Sequence, residues 1–362
     1  MNMAADKVLI LAGGTGGHIF PGLAVAASLR KQGIAVHWLG AAGGMECQKV
    51  PAANIPFDTV AIAGLRGKGI RRWMSLPWQL FKAIRQAKGI IRKNRPNCAV
   101  SFGGYAAGPG GIAARFSGVP LVIHEQNRIP GLTNRVLARF SNRVLQAFPG
   151  TWPKSLKAET CGNPVREALT GITPPQQRLA GRSGKLRVLV TGGSQGARAL
   201  NEFLPTAIAR LPVDLTVEIR HQAGKGRATE TSQAYSQAGI EAEVSEFIED
   251  MAAVYEWADL VVCRSGALTV SELAAVGIAS VLVPFPFAVD DHQTRNAEFL
   301  VSAGAARLQP ESSCSAETLS GVLAELLSDR KTLLNMAVAA RELAMPDAAE
   351  HVAQICIQSS KK

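Results

Sequence analysis

The sequence predicts an α/β protein of two Rossmann-like, doubly wound parallel-sheet domains facing a central cleft. Three observations carry that reading. The first is a device used twice. Gly13-Gly14-Thr15-Gly16-Gly17-His18 and Gly192-Gly193-Ser194-Gln195-Gly196 each follow an apolar, strand-like run and lead into a helical pattern, 179 residues apart. On that offset Leu9 to Thr15 aligns with Val188 to Ser194, strand on strand and glycine on glycine. The second is length, because 362 residues exceed what one core usually organises. The third is composition. With 47% hydrophobic residues, 35 glycines and 6% aromatics, the chain suits buried parallel strands of Val, Ile and Leu.

Along the chain, strand-like runs at Val8 to Ala12, Val36 to Leu39, Ala99 to Phe102, Pro120 to His124 and Val144 to Ala147 alternate with helical patterns, which is βαβ order. Val188 to Thr191, Leu215 to Ile219, Leu260 to Cys263 and Ser280 to Pro284 repeat it in the second half. The stretch from Pro149 to Lys185 is rich in Pro, Gly, Ser and Thr and reads as the linker, with the boundary near Gly162. The expected domains are therefore 1–162 and 163–345. A helical segment, 346–362, follows Pro346 and is free to pack on either. No apolar stretch reaches the ~18 residues of a membrane span, and the start of the chain does not read as a signal peptide. The six cysteines form no C-x-x-C pair and suit a reducing compartment.

The net charge of +11 is unevenly spread, with residues 1–163 carrying net +16 and the remainder −5. No acidic residue lies between Asp58 and Glu125. The first domain is thus the face for an anionic partner, whether lipid headgroup, pyrophosphate or nucleic acid. From Arg66 to Arg95 there are ten basic residues with Trp73, Met74, Trp78 and Phe81 among them. Ser75 and Pro77 are helix-start signals, after which Leu80, Ile84, Ala87 and Ile91 form an inward stripe. Arg71, Arg72, Trp73, Trp78, Lys82 and Arg85 then suit an anionic phospholipid surface, at about 1 kcal/mol per nearby Lys or Arg. The competing readings are a solvated helix face with core tryptophans, or nucleic acid, for which no binding module is present.

A strand that ends in glycines and turns into a helix presents unpaired N–H groups and the positive end of the helix dipole, which suits a pyrophosphate. Glycines also make plain tight turns, so the repetition is what favours phosphate. An NAD site is disfavoured, since G-x-G-x-x-G counted from Gly14 needs glycine where Ile19 stands, and no acidic residue follows Leu39-Gly40 directly. A third loop, Phe102 to Gly111, either holds part of a substrate larger than a nucleotide or serves close helix packing at Gly108 to Gly111. In the second domain, Ser265-Gly266 turns the strand ending at Cys263 into a helix whose first amides suit a pyrophosphate. Glu272, a turn and a half inside, suits two ribose hydroxyls, or else complements the helix dipole for under ~1 kcal/mol.

These motifs, with His124-Glu125-Gln126-Asn127, Gly162-Asn163-Pro164-Val165-Arg166 and Asp291-His292-Gln293-Thr294-Arg295-Asn296-Ala297, closely resemble those of the MurG family, bacterial N-acetylglucosaminyltransferases that make lipid II. The resemblance runs in order from about Val8 to past Ala305. It implies the GT-B architecture and a UDP-N-acetylglucosamine (UDP-GlcNAc) donor held mainly by the second domain. Uracil falls near Ile248 and Arg166. The pyrophosphate falls on Ser194 and the helix start Ala267-Leu268-Thr269, which runs through Val270 and Ser271 to the ribose ligand Glu272. Gln293 and Asn296 address the sugar, and Asn127 reaches it from the first domain. Thr15, Gly16 and Gly17 close over the donor or the acceptor diphosphate, and Gly14, Gly104, Tyr105 and Asn134 meet the lipid I acceptor. The implied location is the cytoplasmic face of the bacterial inner membrane, peripherally attached, with no nucleic-acid partner.

The implied reaction is a single inverting displacement at the anomeric carbon, which needs a base for the attacking 4-hydroxyl. An imidazole titrates near neutrality, and His18 ends a phosphate-type loop where a carboxylate could orient it. Glu125 is the second candidate. Departure of UDP is ascribed to amides and the helix dipole, with no metal or cofactor. No D-x-D pair follows a strand suitably, and Asp290-Asp291 reads as the flank of a helix starting near His292. A UDP-sugar epimerase of the same architecture is the alternative, and a non-catalytic nucleotide-binding membrane protein a third.

Overall fold

The computed structural model describes residues 6–62, 70–193 and 196–361, apart from the side chains of 70–76 and 289. The chain divides into two compact units, Met1–Arg166 together with Met345–Lys362, and Glu167–Ala344. The first is built on β1 (Lys7–Ala12), β2 (Ala35–Ala41), β3 (Phe57–Val60), β4 (Cys98–Gly103), β5 (Leu121–Glu125), β6 (Arg143–Gln146) and β7 (Glu159–Thr160). The sheet order is β3-β2-β1-β4-β5-β6-β7 and every pair is parallel. Strand order reverses at β1, so the turns that leave β1 and β4 emerge side by side at the carboxyl edge, where such sheets bind ligands.

Side chains of β1 alternate between two buried faces, as a strand covered on both sides requires. Val8 and Ile10 join Val25 and Leu29 of α1 (Gly16–Lys31), while Leu9 and Leu11 join the cluster on the other face. Between these elements lie α2 (Glu46–Ala52) and α3 (Ile70–Asn94), and α4 (Ala107–Phe116) and α5 (Leu132–Leu137) follow β4 and β5. Ala83, Ala87 and Ile91 of α3 bury themselves in the second cluster with Ala113 and Ala114 of α4, and Ile84 packs alongside. The buried stripe is thus shifted from the expected one, with Leu80 only half-buried. Helix α3 runs through Ser75 and Pro77 rather than starting there. Arg71, Arg72 and Met74 are competent helix formers, and they carry the helix upstream of the proline. A Cβ on Gly110 would collide with Leu11 and Leu39, and one on Gly111 with Leu137, so these glycines do serve close packing.

The C-terminal helix, Ala348–Ser360, belongs to the first unit. Val352, Ile355 and Cys356 lie in the same cluster as Val8 and Ile10, and burying each aliphatic side chain is worth about 1.5–3 kcal/mol. The first unit also extends four residues past Gly162, to Arg166. Cys161 is in its core and Asn163 Nδ2 donates to the Gln126 carbonyl at 3.1 Å, so this stretch stays with the first sheet.

The second unit repeats the plan with β8 (Leu186–Thr191), β9 (Val217–Gln222), β10 (Glu243–Ser245), β11 (Leu260–Cys263), β12 (Ala279–Leu282) and β13 (Ala306–Leu308), in the order β10-β9-β8-β11-β12-β13 and all parallel. Strand β8 takes the switch position that β1 takes in the first sheet, as the offset alignment expects. The outer strands β3, β7, β10 and β13 are additions to the sequence reading. They are two to four residues long, and β7 is wholly polar while the others mix polar with apolar side chains, so they lack the buried-strand signature. All six cysteines are free, and burial raises Cys161 and Cys263 to about 12. Among the described residues no helix is long and apolar enough to cross a membrane.

Candidate active site

In the first unit the β1 turn and the β4 turn touch. Gly104 has φ +88°, and a Cβ there would land on the Gly13 carbonyl oxygen, so only glycine fits. Tyr105 follows, half exposed. Thr15 is the N-cap of α1 in extended conformation and makes no side-chain cap hydrogen bond. Gly14, Thr15 and Gly17 are exposed. Beneath them lies a residue the sequence reading missed: buried Glu46 accepts the Gly14 N–H at 3.1 Å and the Ala41 N–H at 2.9 Å. The Gly14 amide is therefore committed inward, and in the first turn of α1 the His18 N–H donates to the Thr15 carbonyl at 3.1 Å, so the turn's amides toward an anion are those of Gly16 and Gly17.

His18, in the first turn of α1, is half-buried. Its ring lies against Gly103, and its Nδ1 is 3.1 Å from Gln126 Oε1. The group beside His18 is thus the amide of Gln126, the residue after the end of β5, rather than the carboxylate that could have oriented it. Gln126 Nε2 donates to His124 Nδ1 at 3.1 Å and to the His124 carbonyl at 2.9 Å, and His124 Nε2 donates to the Gly162 carbonyl at 2.8 Å. Burial pushes the His124 imidazole down to about 4.

Glu125 is only 2% exposed and its oxygens are fully engaged. Oε1 accepts from Asn127 N at 3.0 Å and Asn127 Nδ2 at 3.3 Å, and Oε2 from Gly131 N at 3.1 Å and Asn134 Nδ2 at 2.9 Å. Four donors make it the anchor of the loop between β5 and α5, which removes the second candidate for the base. Asn134 is likewise buried, accepting from Ser101 Oγ at 3.1 Å and donating to the His124 carbonyl at 3.1 Å. It ties β4, β5 and α5 together and presents no surface to an acceptor.

In the second unit, Gly192 and Gly193 follow β8, and Ser194 and Gln195 lie outside the described residues. Gln222 Nε2 donates to the Gly193 carbonyl at 3.1 Å. The helix Ala267–Val276 starts after Gly266, an N-cap without a side-chain hydrogen bond. Asn296 is fully buried and its Nδ2 donates to the Ser265 carbonyl at 3.4 Å, so it braces this turn. The buried Ser265 hydroxyl has no hydrogen-bond partner among the described residues. Ala267 and Val270 are buried and the Val270 N–H donates to the Gly266 carbonyl at 2.9 Å, whereas Leu268, Thr269 and Ser271 are half-buried. Ser271 Oγ donates back to the Ala267 carbonyl at 3.0 Å. The largely buried Glu272 accepts from the Tyr255 hydroxyl at 3.4 Å.

Gln293 Oε1 accepts the Phe285 N–H at 2.9 Å, so its amide oxygen is engaged by the loop ahead of its helix. Asp290 and Asp291 have φ near +50° and precede the helix His292–Val301, with Thr294 Oγ1 donating to Asp291 Oδ1 at 2.7 Å. The pair is a helix flank, as its position suggested. Ile248 is half-buried on the loop before Met251–Trp257, the helix that carries Tyr255. Arg166 is exposed at the end of the other unit.

Each unit thus carries an amide-lined turn at a parallel-sheet switch point, one with an imidazole and one with a carboxylate. Residues 8–146 match the glycosyltransferase family 28 N-terminal domain, and residues 187–352 the glycosyltransferase family 28 C-terminal domain. A UDP-N-acetylglucosamine–N-acetylmuramyl-(pentapeptide) pyrophosphoryl-undecaprenol N-acetylglucosamine transferase of Xylella fastidiosa is 55% identical, over 98% of this chain and 96% of that protein. The crystal structure of Acinetobacter baumannii MurG is 40% identical with a TM-score of 0.86, over 98% of this chain and 99% of that one. The chain belongs to the MurG family. It is accordingly an N-acetylglucosaminyltransferase with the GT-B fold. The UDP-GlcNAc 2-epimerase of Neisseria meningitidis has a TM-score of 0.67 at 14% identity, over 97% of this chain and all of that one, a likeness of fold alone.

Within the MurG family frame, the residues sequence reasoning left without a role are Glu46, His124, Gln126, Tyr255 and Ser265. His124, Gln126 and Ser265 stood inside recognisable motifs. Nothing in the local pattern around Glu46 or Tyr255 marks them, since their partners lie 32 and 17 residues away.

Proposed function

We propose that this chain transfers N-acetylglucosamine from UDP-GlcNAc to the 4-hydroxyl of the muramic sugar of undecaprenyl-pyrophosphoryl-muramyl-pentapeptide, making the β-linked disaccharide lipid of peptidoglycan synthesis. The observation that carries this is 55% identity over nearly the whole length to a transferase of that name. The donor lies on the second unit, its diphosphate on Ser194 and the amides of Ala267, Leu268 and Thr269, and its ribose on Glu272. The helix dipole and those amides stabilise departing UDP. The acceptor diphosphate lies above the α1 first turn and the Gly104-Tyr105 turn. His18 takes the proton from the 4-hydroxyl.

The acceptor is a lipid, and the first unit offers a surface for the membrane that holds it. On α3, Trp78 is 70% and Phe81 56% exposed, with their rings stacked at 5.8 Å. Two large aromatics in water are hard to reconcile with a merely solvated helix face. Lys82 and Arg85 follow on the same helix, and Phe116, 75% exposed, ends α4, which packs on α3. The side chains of Arg71, Arg72 and Trp73 lie outside the described residues. We assign this surface to anionic phospholipid at the cytoplasmic face of the inner membrane. The epimerase alternative retains only the shared fold. Incubating UDP-GlcNAc with and without a lipid-linked muramyl-peptide acceptor tests the whole reading: acceptor-dependent UDP release is expected, and acceptor-independent isomerisation overturns it.

A further inference from the structure

The hydrogen-bond chain running inward from His18 has its direction set at the far end. The Gly162 carbonyl can only accept, so His124 Nε2, 2.8 Å away, carries a hydrogen. His124 is buried and uncharged at neutral pH, which leaves a lone pair on Nδ1. The terminal amide of Gln126 faces that lone pair at 3.1 Å and the His124 carbonyl oxygen at 2.9 Å. Both are acceptors, so the amide turns its NH₂ toward them and its oxygen toward His18. That oxygen lies 3.1 Å from His18 Nδ1 and admits only an N–H there. A neutral His18 therefore keeps its lone pair on Nε2.

We infer that Gln126 and His124 are positioning residues that hold His18 in the Nδ1–H form, so that Nε2 is the atom that receives the acceptor proton. The last clause rests on the base assignment made above. An amide in this place selects the tautomer without adding a charge beside a diphosphate. A carboxylate would select the same tautomer but would repel the substrate. Asn163 Nδ2 reinforces the chain by donating to the Gln126 carbonyl at 3.1 Å, so the segment around Gly162 holds both Gln126 and His124.

The test uses the full chain with ¹⁵N-labelled histidine and long-range proton–nitrogen spectra of its six imidazoles at pH 8, with His18 assigned from its loss in His18→Ala. In the wild type His18 is expected as Nδ1–H and His124 as Nε2–H. Gln126→Met, close in size and without the amide, is expected to return His18 to the Nε2–H form that free imidazole prefers. It should also lower kcat about tenfold or more, with KM for UDP-GlcNAc within about twofold. A wild-type His18 found as Nε2–H overturns the inference, and so does a Gln126→Met protein with tautomer and kcat unchanged. The wild-type spectrum decides the tautomer even if the variant does not fold. Wild-type turnover in His18→Ala, by contrast, overturns the base assignment alone.

Discussion

Glu46 Oε2 accepts the backbone N–H of Gly14 at 3.1 Å from a fully buried position beneath the first glycine turn. The turn is therefore supported from below by a carboxylate whose other oxygen holds the end of β2 through Ala41. Glycine at 13, 40 and 44 is what makes room, since a Cβ at any of the three would meet the Glu46 side chain.

Glu46→Gln replaces one acceptor by an NH₂ that faces a backbone N–H. The expected cost is about 1–3 kcal/mol, the penalty of a buried donor left without a partner. Urea unfolding checks it. Loosening of the turn should also raise the KM for the lipid acceptor more than that for UDP-GlcNAc. Unchanged stability and unchanged KM values would show the Glu46 contact to be dispensable.

His18→Ala should cut turnover about 10²-fold or more while leaving UDP-GlcNAc affinity nearly intact, because the base acts on the acceptor. Steady-state kinetics and donor titration read the two quantities separately. Glu125→Gln makes the contrast. Its effect should appear as lost thermal stability through the Gly131 and Asn134 bonds, since Glu125 anchors a loop and handles no proton.

If the proposed ribose contact holds, Glu272→Gln removes the charge behind both of its bonds and replaces one acceptor oxygen by an NH₂. The expected result is a donor KM raised about tenfold or more, with kcat changed less. Tyr255→Phe, which removes the hydroxyl that braces Glu272, should move the same parameter by a smaller factor. A Glu272→Gln enzyme with an ordinary donor KM removes the ribose assignment.

Trp78→Ser combined with Phe81→Ser should weaken binding to anionic vesicles at low salt by an order of magnitude or more, given what burying an aromatic side chain contributes. Turnover of a short-chain, water-soluble acceptor should not change, because neither side chain is near His18 in sequence or on the same helix. Failure of the wild type to bind such vesicles would end the membrane assignment.

Acid should destabilise both units. Burial lowers His124 to about 4 and His221, which meets Tyr235 and Asn201, to about 3. Each ring binds its proton less readily folded than unfolded, so between about pH 6.5 and 4 the unfolded chain carries more protons. Stability is therefore complete above pH 6.5 and falls as pH drops through that window, by on the order of 3 kcal/mol for His124 alone. Urea midpoints at pH 7.5 and pH 5 measure it, and equal midpoints would contradict the buried, neutral state of the rings.

Much of the architecture was legible in the primary structure because it is encoded locally. Val8 to Ala12 and Val188 to Thr191 announce central strands by continuous apolarity, and the glycines after them announce the turns. Edge strands such as Glu159–Thr160 escaped because two residues carry no periodicity. Pro77 misled because helix-forming neighbours outweighed a local start signal. At the site, the motif containing His18 was visible, but its partner was not, and Asn134 passed for a ligand until its burial was seen.

By itself the sequence determined two parallel-sheet units, a strongly basic first half and an ordered set of turns that place the chain in its family. These follow from composition and from spacing along the backbone. Only the tertiary structure decided that Gln126 rather than a carboxylate orients His18 across 108 residues, that Glu125 and Asn134 are anchors, and that the last helix completes the first unit. Hydrogen-bond direction and burial depend on which residues meet after folding, and no pattern of near neighbours records that.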